Sequence, residues 1–480
     1  MPKFPSLFRH PWVLLVLALA GLHMAVFDRG LGGDGWAPFA ALESIADDGD
    51  LALENNVRGA LNGLVPTPSG HLAMQYPPGI LVLDAPPFAA GRALDALLPS
   101  SLLANGAELP PAGRVPRGVF FSAACIVLTR NLAVLLGLAA LAAALRRLGY
   151  GEQRVAASLA LTFFGGPLLF YSLVGMTHAP AFALAALLLL ALVRAREEPA
   201  PHRFFLAGLL TGAATLVRFG SVALLVPAAW TALTAARASL ASSAPKTARE
   251  STLRRLLALG SGFAVPLLPL PFWVWLNFGT STPSYGGDWR LTLASPWNVL
   301  LSPRHGLFLF HPALALAALG LRLLLRRERR VRRAQAGKEG VSPGFGSLGG
   351  IGALWFLAVA TLYGWWGEWA NEGGYGQRFL IDALPAAALG FAAFLDGRRL
   401  RRVRLGLALG TTLFGFALFF AAVGGLVVPP AGLPWPLRLS DYASLVRDPP
   451  GPRGMGAALR RSSFLVRGLL GPVPSDTKSE

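Results

Sequence analysis

Apolar runs of roughly twenty residues recur along almost the whole chain, with short arginine clusters between them. A run of that length, wound as a helix, crosses the hydrocarbon core of a bilayer. A soluble protein of 480 residues would instead divide into several cores separated by polar surface, whereas this chain is 54% hydrophobic and 14% charged. The pattern predicts an all-α polytopic membrane protein. Spans are expected at 11–28, 119–145, 154–174, 178–194, 203–218, 219–236, 255–276, 306–325, 350–366, 379–396 and 405–427, a bundle of about eleven transmembrane helices.

The net charge of +18 is explained by where the arginines lie. With the N-terminus inside, the inside loops carry Arg146, Arg147 and Arg154, then Arg194, Arg196 and Arg203, then Arg237, Lys246, Arg249, Arg254 and Arg255. "RRERRVRR" at 326–333 and Arg398, Arg399, Arg401, Arg402 and Arg404 follow on the same side. The outside loops 29–118, 277–305 and 367–378 are poor in basic residues for their length, as the positive-inside rule requires. The tail from about 428 departs from the rule, with Arg438, Arg447, Arg453, Arg460, Arg461 and Arg467. No basic groove pattern remains that calls for nucleic acid. The expected location is the cytoplasmic membrane, crossed many times. Residues 12–27 follow Lys3 and Arg9 like a signal-peptide core, but no small-residue cleavage site follows, so they are read as an uncleaved first helix. The single cysteine, Cys125, supports neither an intrachain disulfide nor a Cys/His zinc site.

The first outside loop has structure of its own. In "WAPFAALESIA" (36–46), Trp36, Phe39, Leu42 and Ile45 recur near helical spacing, which predicts a short amphipathic helix lying flat on the bilayer. Residues 77–98 are apolar but interrupted by Pro77, Pro78, Pro86 and Pro87, and Asp84 and Asp95 are costly in lipid. They are expected to form a juxtamembrane or re-entrant segment, followed by a Pro/Gly-containing loop at 99–117. Residues 238–248 and 336–350 read as flexible inside loops. Gly344, Gly346 and Gly349 have dinucleotide-fingerprint spacing, but no strand precedes them. "DGD" at 48–50 reads as a turn and leaves room for weak binding of a divalent ion. No internal repeat is evident.

Four outside stretches contain residues suited to chemistry: "GGDG" with Asp34, "QYPPG" at 75–79, "LLSPRHGLFLFHP" at 300–312 and "YGWWGEWANEGGYGQRFLIDALP" at 363–385. Each has a plainer explanation. Asp34 reads as a solvated loop carboxylate, and Tyr76 as part of a turn set by the prolines after it. Trp365, Trp366 and Trp369 suit an interfacial aromatic belt, and Arg304 and Arg378 suit snorkelling anchors. His178, His305 and His311 read as structural. Together the stretches ask for more. Arg304 and Arg378 begin inward-running helices on the side that avoids basic residues, and the guanidinium fork suits phosphate oxygens. Gly373, Gly374 and Gly376 permit close backbone approach at a helix start, where anions are welcome. Glu368 and Glu372 lie in the same loop. A carboxylate opposite paired arginines, beside aromatic walls, is what displacement of a phosphate leaving group requires.

With "GGDGWAPFAALESIADDGDLAL", "QYPPGILVLDAPPFAAG", "SPRHGLFLFHPALALAALGL" and "WWGEWANEGGYGQRFLIDALP", the chain resembles the GT-C superfamily of integral-membrane glycosyltransferases. The likeness is to the bacterial branch related to protein O-mannosyltransferases and lipid A aminoarabinose transferases, and it extends over residues 1–427. It implies a GT-C-like transmembrane domain with juxtamembrane helices in the loop 29–118. Residues 428–480 would be a short external tail or cap. The implied donor is a polyprenyl-phosphate sugar, and the acceptor a lipid, glycan or protein at the outer face. Asp34 would be the catalytic carboxylate, although Gly35 stands where many relatives have a second acid. Pro77 and Pro78 match the family's proline pair, with Tyr76 where some relatives have lysine. Arg304 and Arg378 would hold the departing phosphate. Gln75, Tyr76, His305, Trp366, Glu368, Trp369, Glu372 and Tyr375 would surround the substrates. Inversion at the anomeric carbon is implied. The resemblance assigns no cofactor; Gly35 weighs against a paired-carboxylate metal site, and a divalent metal stays open.

A transporter or flippase of a lipid-linked anion would also need many spans and external arginines. Transporters place charges and broken helices at the bilayer midplane and show repeated halves, which favours the enzyme here. A structural or signalling membrane protein leaves the four external stretches unexplained.

Overall fold

The computed structural model describes residues 35–56, 63–98, 120–173, 176–240, 245–278, 291, 294–301, 306–335, 347–366, 377–396 and 401–423. Within them the chain is helical apart from one small hairpin, which pairs Leu64–Pro66 (β1) with Leu72–Met74 (β2) antiparallel. The helices are α1 (Trp36–Asp47), α2 (Gly79–Leu97), α3 (Phe120–Arg147), α4 (Glu152–Phe164), α5 (Leu168–Leu173), α6 (His178–Glu197), α7 (Pro201–Val217) and α8 (Leu225–Leu240). They continue with α9 (Pro245–Leu267), α10 (Leu270–Phe278), α11 (Ala294–Leu301), α12 (Leu307–Phe310), α13 (Ala313–Gln335), α14 (Leu348–Trp365), α15 (Leu384–Leu395) and α16 (Arg401–Val423).

Five helical stretches among the described residues are long and apolar enough to cross a bilayer: Phe121–Arg147, His178–Glu197, Arg249–Phe278, Leu348–Trp365 and Arg378–Leu395. The protein is therefore an all-α, multi-pass membrane protein. Several expected spans are broken rather than continuous. Gly165, Gly166 and Pro167 separate α4 from α5, and Pro269 separates α9 from α10, because proline withholds the amide that would continue the ladder. The first expected span and the tail from 428 lie outside the described residues.

The centre is formed by α6 and α15, apolar on every face and buried on nearly every face, as a helix hydrophobic all round must be. Glycines let its neighbours approach closely. A Cβ on Gly320 of α13 would lie 1.8 Å from the carbonyl oxygen of Gly390 in α15. Between α7 and α9, Gly208, Gly212 and Gly262 meet the carbonyl oxygens of Leu259, Phe263 and Phe205 in the same way. Leu257, Val265, Leu268, Phe272 and Trp275 on α9–α10, and Leu405, Leu409, Leu413 and Phe414 on α16, are exposed, which suits contact with hydrocarbon.

One end of the bundle is basic. There Arg147 pairs with Glu197 at 2.7 Å, while Asp396 takes Arg154 at 2.5 Å and Arg327 at 2.6 Å. At the same end Glu328 of α13 accepts from the Leu348 and Gly349 amides that open α14. The opposite end carries residues 35–98 and is called the cap end here.

Two expectations for that segment need correction. The helix α1 does not bury only one apolar face: Ala37 through Ser44 are all buried, and Phe39 meets Phe88 of α2 at 5.5 Å. It packs on α2 and on β2, and the polar Glu43 and Ser44 are covered along with the apolar residues. Nor do Pro86 and Pro87 break residues 79–97, which form a single 19-residue helix. The acids that seemed costly are both partnered by α3. Asp84 forms a buried ion pair with Arg130, and Asp95 accepts from the Phe121 and Ser122 amides at 2.8 and 3.0 Å, sitting on the α3 N-terminus. The acidic stretch after α1 is likewise used locally. Arg92 of α2 grips Asp47 with two bonds, at 2.9 and 2.6 Å, and the hydrogen-bonded carboxylate raises the guanidinium above its ordinary pKa.

Candidate functional site

The cap end gathers charges that apolar helices ordinarily exclude. Helix α7 stops at Val217, and Arg218 runs extended, with φ −148° and ψ 118°, into the 3-10 turn Phe219–Leu224 before α8. A second 3-10 segment, Arg378–Ala383, opens α15. The two segments pack together. Arg218 Nη1 donates to Asp382 Oδ1 at 3.2 Å, and Ser221 Oγ donates to Asp382 Oδ2 at 2.6 Å. Trp355 Nε1 in α14 donates to the main-chain oxygen of Asp382 at 2.8 Å. The whole group is buried. Gly220 leaves room for the α14 side of the contact: a Cβ there would sit 2.0 Å from the Tyr363 hydroxyl.

Around this ion pair stands an aromatic wall. Tyr363 stacks on Phe379 at 5.2 Å, and Trp366 meets Phe379 edge-on at 4.9 Å. The Arg218 guanidinium lies 5.7 Å from the Tyr363 centroid, and that of Arg378 lies 5.1 Å from the Phe379 centroid. Arg378 Nη1 also reaches the Met176 thioether at 3.8 Å, just before α6 begins. The first residue of α6, His178, stacks on Tyr171 at 5.1 Å. The fields of Arg218, Arg378 and Arg130 all reach it.

Of these arginines, Arg218 and Arg130 each have a carboxylate in contact, Asp382 and Asp84. Arg378 contributes a guanidinium beside an aromatic surface, a combination able to take a phosphate oxygen on one side and an apolar sugar face on the other.

Of the residues expected from the sequence, Arg378 and Trp366 are brought together on Phe379. Gln75 and Tyr76 lie at the same end. The Gln75 amide donates to the Gly63 oxygen at 3.0 Å, and the Tyr76 ring fills the space where a Gly63 Cβ would be, at 2.4 Å. Gly63 has φ +85°, so both its conformation and its neighbour require glycine. Tyr76 packs against the apolar cluster that contains Val217, the residue before Arg218. Asp34, Arg304, His305, Glu368, Trp369, Glu372 and Tyr375 lie outside the described residues.

The "DGD" segment is a turn. Gly49 has φ 74°, Asp48 accepts from Asn56 Nδ2 at 2.9 Å, and Asp50 accepts from Ser44 Oγ at 2.7 Å and the Ala52 amide at 3.0 Å. Among the described residues no three His, Cys, Asp or Glu side chains cluster as metal ligands.

Reading motifs missed the charged centre itself: Arg218, Asp382, Arg130 and Asp84. The available signal was an ionisable residue inside an apolar run, as in "IVLTRNLAVLL", "TLVRFGSV" and "FLIDALP".

No protein-family model and no curated protein matches the chain. Among solved structures it is similar to the crystal structure of ArnT from Cupriavidus metallidurans bound to undecaprenyl phosphate. The sequence identity is 14% and the TM-score 0.46, with 95% of this chain and 74% of that chain covered.

Proposed function

We propose that the protein is a glycosyltransferase that moves a sugar from a polyprenyl-phosphate carrier to a lipid, glycan or protein acceptor at the outer face of the cytoplasmic membrane. The observation that carries the proposal is the meeting of Arg378 and Trp366 on Phe379, beside a buried and internally neutralised Arg218–Asp382 pair. Such a site offers cationic charge for a phosphate, an aromatic face for a sugar, and surroundings in which those contacts are strong. The positive-inside rule supports an outside position for this end.

In this reading an acceptor hydroxyl or amine attacks the anomeric carbon. The bond from that carbon to the phosphate oxygen breaks, and its electron pair leaves on the polyprenyl phosphate. Asp34 takes the acceptor's proton or orients the acceptor, and Arg304 and Arg378 hold the charge that grows on the phosphate. The sugar lies among Gln75, Trp366, Trp369 and Tyr375, with Tyr76, His305, Glu368 and Glu372 around it. Attack opposite the leaving group inverts the anomeric centre.

The test uses purified protein in detergent with labelled polyprenyl-phosphate sugars. Release of free polyprenyl phosphate is expected, and it cannot arise from transport because no compartments exist. Binding of the lipid-linked sugars without any release, across a panel of acceptors, would favour the transporter instead. Arg378→Ala is expected to weaken polyprenyl phosphate binding by about 10- to 100-fold, the worth of a hydrogen bond to a charged group, while acceptor binding holds. Equal losses for both ligands would remove Arg378 from the phosphate site.

A further inference from the structure

Two buried polar side chains at the cap end have no hydrogen-bond partner among the described residues. They are Asn131 in α3, through both amide atoms, and His178 at the start of α6, through both ring nitrogens. Each side chain is more than nine-tenths buried. Leaving such an atom unsatisfied is costly, so four of them together call for something that pairs with them.

Helix packing puts the two at one level. The helices α3 and α6 run parallel: Gly137 meets Phe182 and Ala183, and near the far ends Arg147 pairs with Glu197. About one turn toward the cap end from the first contact lies His178 on α6, and between one and two turns lies Asn131 on α3. Asn131 shares its helix face with the buried Val134 and Leu138, the face turned to the core. The field of Arg130, its neighbour in sequence, reaches His178.

The missing partner has a definite chemistry. A carboxamide offers donors and an acceptor, and a neutral imidazole offers one of each. A phosphate, which only accepts, would satisfy the donors and strand the acceptors. Hydroxyl groups both donate and accept, and satisfy both side chains. The Tyr171 ring stacked on His178 adds an aromatic surface for a sugar face.

We propose that Asn131 and His178 bind the hydroxyl groups of the donor's sugar. The inference rests on the glycosyl-transfer reading above and names the residues that hold the sugar at that site.

The experiment measures equilibrium binding in detergent, with no acceptor present. The probes are undecaprenyl phosphate and the same lipid phosphate bearing glucose, mannose or arabinose. At least one neutral sugar is expected to raise affinity about tenfold over the bare lipid phosphate. In Asn131→Leu and His178→Phe the gain from the neutral sugar should fall to about onefold while the bare lipid phosphate binds as before. His178→Gln, which keeps a donor and an acceptor, should retain most of the gain. Two results would each overturn the inference: no gain from any neutral sugar, or gains that survive both variants, which would leave buried waters as the partners. The wild-type comparison of sugar-bearing and bare lipid phosphate needs no variant to fold. Transfer without dependence on Asn131 and His178 would sink the inference alone. The expected binding pattern without any transfer would sink the proposed reaction alone.

Discussion

Asp382→Ala is expected to destabilise the protein by about 3–5 kcal/mol, the usual consequence of removing one member of a buried ion pair. The carboxylate accepts from Arg218 and from Ser221, and it is wholly buried. Its loss leaves the Arg218 guanidinium in a low-dielectric site without its counter-charge. The measurement is the unfolding midpoint in detergent, compared with Asp382→Asn. Asparagine keeps an oxygen for Ser221 and leaves the main-chain bond from Trp355 untouched, so it isolates the charge. A second comparison separates stability from function. Arg218→Met combined with Asp382→Leu should regain much of the lost stability, because two apolar side chains need no pairing. It should not regain sugar transfer if the charged pair organises the wall of Tyr363 and Phe379. An Asp382→Ala protein as stable as wild type would show that Arg218 escapes to solvent or finds another acid.

The second large effect is expected at the crossing of α13 and α15. Gly320→Val should prevent a monodisperse protein from being recovered in detergent, or lower its unfolding midpoint sharply. A side chain at Gly320 would overlap the Gly390 carbonyl, and one at Gly390 would lie 2.2 Å from the Ala317 oxygen. Both obstacles are backbone, so no rotamer change relieves them and the helices must separate. Because α15 is buried along its length, that separation spreads through the core. The cost should exceed the roughly 1–3 kcal/mol of ordinary overpacking. Gly410→Ala is the control. Nothing lies within 4 Å of that position on exposed α16, and alanine favours helix by about 1 kcal/mol. Equal behaviour of the two variants would remove the tight crossing from the account.

The helical, membrane-spanning character of the chain was legible in the sequence because it depends on a local sum. Twenty apolar residues lower the free energy of insertion wherever their partners lie, and arginines sort by side one loop at a time. The pieces within spans were less legible. The breaks at Gly165–Pro167 and Pro269 arise where an unpaired backbone group is tolerable, and that depends on neighbours. For the same reason Pro86 and Pro87 sit inside an unbroken helix while Pro269 ends one.

The candidate site divides in the same way. The sequence by itself determined that this is a helical membrane protein, and it named Arg378 and Trp366, both of which meet Phe379 in the fold. Both readings follow from what a side chain tolerates in or beside lipid. Only the tertiary structure decided which charges neutralise each other. Asp84 finds Arg130 46 residues away, and Asp382 finds Arg218 at a separation of 164. A buried charge announces that it needs a partner, but helix packing alone determines which partner arrives. The same packing brings Asn131 and His178 to one level, a juxtaposition that no local pattern of residues encodes.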